Sequence, residues 1–242
     1  GMARQFFGRD LERFGEPGFA HRTRWQTTTA LFRLFSRDVR AAIGERDLVG
    51  ELLADLPPEF PRWSPLAQDQ YLEVRTLLSG YILASQGDRM SMAHSVEGRF
   101  PFLDRDVVTL ANTLPDDYKL RVLDEKHVVK RVAAALVPAR ILKRKKQPYR
   151  APDALCFVAD GAPSWVREVL SEGCVRDAGI FDPRAVRGLV EKCRARSDER
   201  QLSNTDNMAL VGVLSTQLLY EAFVRRAPVA SEVPIETLVD RG

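Results

Sequence analysis

At 242 residues the chain can hold one large domain or two small ones around a proper core, and its 45% hydrophobic and 29% charged content is that of an ordinary globular protein. A formal charge of +3 is too small to argue for nucleic acid, no apolar run approaches the roughly 20 residues that cross a bilayer, and the N-terminus lacks the apolar stretch of a secretory signal. The expectation is a cytoplasmic protein with no membrane or nucleic-acid partner. Met2, behind Gly1, reads as the native start. Cys156, Cys174 and Cys193 are odd in number and far apart, with no C-x-x-C pair and no histidine beside them, so they read as reduced thiols packed as small hydrophobes.

Helical periodicity dominates in chain order. Residues 28–43 place Leu31, Leu34, Phe35, Val39 and Ile43 on one face, and Gly44 can end that helix. The proline-rich stretch 56–63 is a connector, after which Ser64 and Pro65 read as N-cap and first helical residue. The helix they open carries Leu66, Tyr71, Val74, Leu77, Leu78 and Tyr81. Phe100-Pro101 breaks whatever precedes it, and Asp104 can cap a helix with Val107, Val108, Leu110, Ala111 and Leu114, stopped by Pro115. Asp124 can cap another, with Val128, Val129, Val132 and Leu136 facing inward before Pro138. Asp182-Pro183 repeats the cap-plus-proline pattern ahead of Val186, Leu189, Val190 and Cys193. A last helix over 205–225 carries Met208, Val211, Ser215, Leu218, Leu219 and Phe223. The expected fold class is mainly α: a single helical-bundle domain over 1–226, then a polar, loose tail over 227–242.

Two segments carry unusual chemistry. Asp88-Arg-Met-Ser-Met-Ala-His-Ser-Val-Glu97-Gly-Arg99-Phe-Pro-Phe-Leu-Asp104 sets ionisable groups among small and sulfur-bearing residues. If 88–98 is helical, Met90, Ala93 and Glu97 share a face that excludes Asp88. Glu97 is then either a carboxylate paired to Arg99 or a neighbouring helix, or one tuned by apolar surroundings for proton transfer. His94, alone among small residues, reads as a packed or hydrogen-bonded side chain. Farther on, Arg140, Lys143, Arg144, Lys145, Lys146 and Arg150 put six cations into eleven residues with no acid. Such a run is either a solvated basic loop or an anion site, and Pro148 and Pro152 stiffen it. Tyr149 can stack or simply pack. No aromatics interleave with the cations, so single-strand binding is poorly supported.

These two motifs, in this order and separation, resemble the C-terminal part of the synthetase domain of glutamine-dependent asparagine synthetases, the class II amidotransferase type, to which β-lactam and carbapenam synthetases are related. Weaker similarity runs through 19–22, 71–75 and 207–210. The resemblance implies condensation of a carboxylate with ATP to an acyl-adenylate, release of pyrophosphate, and displacement of AMP by an amine, with Mg and ATP as co-substrates. It implies that Lys146 stabilises the phosphorus and pyrophosphate during adenylation. It matches Glu97 to the family's motif carboxylate, an acid working with a tyrosine in the β-lactam-forming relatives. Asp88, Arg99, Arg144, Tyr149 and Arg150 are carried over as substrate- or pyrophosphate-binding positions, and the roles of Asp88, Arg99 and Tyr149 can equally be structural.

The departures from the family are as informative. The Ser-Gly-Gly-x-Asp-Ser nucleotide loop, the Gly-Glu-Gly-x-Asp-Glu loop and the N-terminal nucleophilic Cys have no counterpart, and the chain has no Gly-Gly dipeptide at all. The expectation is therefore a helical part lacking the nucleotide-binding parallel sheet, with no cofactor held tightly by this chain alone. A polypeptide supplying the nucleotide-binding and glutaminase parts, or a homo-oligomer, should cover an exposed apolar face near 24–35 and 66–82. The competing reading is a non-catalytic interaction module or pseudoenzyme fragment of the same family, with a basic nucleic-acid binder a distant third.

Overall fold

The computed structural model describes residues 11–122, 124–145, 154–196 and 202–226. These residues are overwhelmingly helical, and the sheet among them is a two-stranded antiparallel ribbon, Leu120–Arg121 against Asp124–Glu125. The mainly-α reading therefore holds. Contacts divide the span read above as one domain into two compact units: Gly1–Trp25 with Asp47–Pro148, and Gln26–Arg46 with Tyr149–Gly242.

In the first unit, Ser64 caps the helix Pro65–Glu73 as expected, its Oγ accepting from the Ala67 amide with proline at the first turn. Phe60, Trp63 and Tyr71 form an aromatic triangle with ring centroids 5.3 to 5.9 Å apart, and the Gln68 side-chain amide donates to the Phe60 and Trp63 carbonyls. Phe60 and Leu72 are its fully buried apolar residues. Beside them lies a polar knot. Arg24 grips Glu73 through two hydrogen bonds of 3.0 and 2.6 Å, and the buried His21 sets Nε2 3.0 Å from the same carboxylate. The hydrogen bond from Arg24, with smaller help from His21, outweighs burial and holds the Glu73 carboxyl below its usual range.

From Val74 the helix widens into a π-helical stretch reaching Asp88 before resuming as Arg89–Ala93. Five-residue spacing is visible in the side chains: Ser85 Oγ donates to the Gly80 carbonyl and Gln86 Nε2 to the Tyr81 hydroxyl. This change of pitch is why a face drawn with a period of 3.6 fails here. Val74 and Tyr81, expected inward, are about half exposed. Asp104 caps the helix Arg105–Thr113 through hydrogen bonds from the Asp106 and Val107 amides, as expected. Asp124 does not cap its helix. It lies in the ribbon, Lys126 occupies the N-cap position of helix His127–Val132 with φ 57°, and the Asp124 carboxylate bonds His127 and Lys130 side chains instead. Val129, Val132 and Leu136, expected inward, face solvent.

In the second unit the helix expected over 28–43 is broken. The helix Arg22–Thr29 tightens into a 3₁₀ turn, Ala30–Leu34, and Phe35 turns extended to stack on Phe181 with ring centroids 5.5 Å apart. Ser36 then caps a new helix, Arg37–Ile43, which ends at Gly44 with φ 63°, the stop foreseen. Helix Pro183–Arg194 follows its sequence signature closely: Asp182 caps it, and Val186, Leu189, Val190 and Cys193 are buried. The last helix runs from Asn204 to Tyr220 with a π turn to Arg225, but its buried face is not the one drawn from the sequence. Asp206, Ala209, Leu210, Val213, Leu214 and Gln217 are buried, whereas Met208, Leu218, Leu219 and Phe223 are exposed. By length and composition alone Asn204–Arg225 is apolar enough to cross a membrane, contrary to the reading of the sequence. Its inner residues, however, pack into this unit's core.

Asp206 fixes that helix. Its buried carboxylate accepts from Lys192 Nζ at 2.7 Å and Ser203 Oγ at 2.7 Å, while its own amide donates to Ser203 Oγ. Burial opposes its charge, but the Lys192 and Ser203 hydrogen bonds prevail and keep its carboxyl below the usual range. All three cysteines are free thiols; Cys193 is packed as foreseen, with burial raising its thiol pKa, whereas Cys156 is exposed.

Candidate functional site

The motif segment 88–104 lies in the first unit. Asp88 ends the π-helical stretch, exposed. The helix after it stops at Ala93, where His94 folds back with Nδ1 2.8 Å from the Met90 carbonyl and Ser95 adopts φ 56°. Residues 96–100 are non-helical, so Glu97 does not share a helical face with Met90 and Ala93. Two small residues shape this turn. A Cβ at Gly98 would sit 2.9 Å from Phe100 Cζ, and one at Gly87 4.0 Å from the same atom, so the ring lies close over both backbones. Glu97 pairs with Arg99 at 3.0 Å, and the two side chains are 72% and 81% exposed. Of the two roles open to Glu97, the ion pair with Arg99 is formed, and apolar enclosure of the carboxylate is not.

The cationic segment is described up to Lys145; Lys146, Tyr149 and Arg150 lie outside the described residues. Arg144 and Lys145 line an open cleft of about 350 Å³ together with Lys126, Lys130 and Glu125. Its floor is apolar: Val129, Ala133, Ile141 and Leu142. Two of the cations were not singled out from sequence: Lys126 at the N-cap position and Lys130 in the helix that follows. The Lys130 ammonium is anchored by Asp124 Oδ1 at 2.6 Å, and the same carboxylate sits 2.6 Å from His127 Nδ1. Those hydrogen bonds, His127 first and Lys130 second, lower the Asp124 carboxyl from its usual range. Among the described residues no group of His, Cys, Asp and Glu side chains could hold a metal ion. Phosphate oxygens, by contrast, suit the cleft's cations.

The described site residues are thus solvent-open: a motif turn carrying the Glu97–Arg99 pair, and a basic cleft lined by Arg144 and Lys145. Against known proteins, the Asparagine synthase family matches residues 6–221. The chain belongs to the asparagine synthase family. Its relatives include asparagine synthetase [glutamine-hydrolyzing] 1 of Bacillus subtilis, 31% identical over 140 residues that make up 58% of this chain and 22% of that protein. A putative asparagine synthetase [glutamine-hydrolyzing] of Mycobacterium bovis is 34% identical over 149 residues, 62% of this chain and 22% of its own length. The amidase chyE of Penicillium rubens is 29% identical over 161 residues, 63% and 24% of the two chains. The chain therefore spans less than a quarter of the length of these relatives. No solved structure matches it.

Proposed function

We propose that this chain is the helical C-terminal part of an ATP-dependent ligase of the asparagine synthetase type, acting together with a polypeptide that carries nucleotide-binding and glutaminase parts. In that reaction a carboxylate oxygen attacks the α-phosphorus of ATP, the bond to pyrophosphate breaks, and ammonia from glutamine then displaces AMP to leave an amide. The chain's share is electrostatic. Lys146, with Arg144 and Arg150, offers positive charge where negative charge grows on the transferring phosphorus and on the departing pyrophosphate, the situation in which preorganised charge contributes most. To Asp88, Arg99, Tyr149 and Glu97 we assign contacts with the substrate carboxylate or a part in ordering their own segments. The described residues do not assemble a magnesium site.

The observation that carries this reading is the family match across residues 6–221, which takes in both motifs. A specific feature favours the alternative of a non-catalytic module: the Glu97–Arg99 pair is exposed and satisfied as it stands. The two readings separate in a reconstituted assay of pyrophosphate release from ATP and aspartate. Lys146→Ala should cost roughly 10²-fold or more, the scale of losing one preorganised charge-stabilising group. Lys143→Ala, outside the motif match and outside the cleft lining, should cost little. Equal effects of the two substitutions, or no release from the pair, would favour the non-catalytic module.

A further inference from the structure

We infer that the cleft between helices His127–Val132 and Ala139–Leu142 is a binding site for an organic phosphate, a dianionic head on an apolar body, which shares Arg144 with the proposed ligation surface but does not use Lys146. Charge defines the head. Lys126, Lys130, Arg144 and Lys145 converge on the cleft against a single acid, Glu125. Among the described residues no carboxylate pairs with Lys126, Arg144 or Lys145, and only Lys130 is tied down, by Asp124. A monocarboxylate is matched by one guanidinium. Three cations without ion-pair partners around one opening suit a head with at least two negative charges and several acceptor oxygens.

Shape defines the body. The floor of Val129, Ala133, Ile141 and Leu142 offers no hydrogen bond to an inorganic ion, and a bare phosphate would leave it wet. A volume of about 350 Å³ accepts a ring system behind the head. Exposed apolar side chains framed by cations are also what an amphiphilic anion recognises and a purely ionic one does not.

The test uses the full chain with 1-naphthyl phosphate, inorganic phosphate, 1-naphthol and AMP, read by amide chemical shifts over residues 124–145. Naphthyl phosphate should bind at least about tenfold more tightly than either phosphate or naphthol, each of which lacks one half of the recognition. Lys126→Gln should weaken it by about tenfold, the value of one charge-assisted hydrogen bond. Ala133→Leu, which fills the floor, should weaken naphthyl phosphate while leaving inorganic phosphate unchanged. An AMP response at the same amides assigns the body to a nucleobase; a response to naphthyl phosphate alone assigns it to a plain ring or hydrocarbon. Phosphate and naphthyl phosphate binding equally would overturn the inference, as would shifts confined to residues outside 124–145 or no shifts at all. Lys146→Ala should not alter this binding, so a failed ligation assay and a failed cleft are separable.

Discussion

Two helices with the same sequence signature meet opposite fates. Pro183–Arg194 opens on an aspartate cap, carries apolar residues at helical spacing, and buries Val186, Leu189, Val190 and Cys193. Arg105–Thr113 opens on an aspartate cap too and carries Val107, Val108 and Leu110, yet leaves all three exposed, Leu110 at 63%. The difference runs through the two units. The contiguous core, from Leu34 to Val213, lies wholly in the second, whereas the first holds Phe60 and Leu72 and presents Met92, Phe102, Val132 and Leu136 to solvent. A periodic pattern states which side of a helix is apolar; it does not state what covers that side. Apolar side chains left open in this way are what the proposed partner would cover. The surface lies mainly over 90–141, not over the 24–35 and 66–82 stretches expected from sequence, although Val74, Tyr81 and Ile82 add to it.

Substitutions can sharpen that contrast. Leu210→Ala, at a fully buried site in the second unit, should destabilise by about 2 to 5 kcal/mol in chemical denaturation, from lost transfer energy and the cavity left behind. Asp206→Ala strands Lys192 and Ser203 and should cost about 1 to 3 kcal/mol. Acid offers a second handle on the same group. The Asp206 and Glu73 carboxyls are both depressed in the folded chain, so their contributions are full at neutral pH and fade as pH falls through those lowered values. Denaturation midpoints should therefore drop below about pH 4, and Asp206→Asn should flatten the part of that drop belonging to the second unit. The smallest effect belongs to Leu110→Ala, expected within about 0.5 kcal/mol of the parent because its side chain is largely solvated already. A loss near that of Leu210→Ala would mean the first unit is packed more tightly than its exposure indicates.

Much of this fold was legible before the structure. Ser64, Asp104 and Asp182 cap where a hydroxyl or carboxylate precedes a periodic run, because that chemistry is local. What failed depended on non-local partners. Phe35 leaves its helix for a ring in another segment, Phe181, and the last helix turns Leu210 and Val213 inward because helix Pro183–Arg194 packs on that side. Val74–Asp88 changes pitch, which no 3.6 period anticipates. At the site, the motif residues signalled the family, but Lys126 and Lys130, the latter held by Asp124, became a cleft only when the chain brought them beside Arg144 and Lys145.

The most direct test of the central claim is amide hydrogen exchange on the chain alone and after mixing with a polypeptide carrying the glutaminase and nucleotide-binding parts of an asparagine synthetase. The account predicts new protection across 90–142, where the uncovered apolar residues and the basic cleft lie, with the second unit's core at 183–194 and 204–220 unchanged. Protection confined to the second unit, or none anywhere at saturating partner, would contradict it.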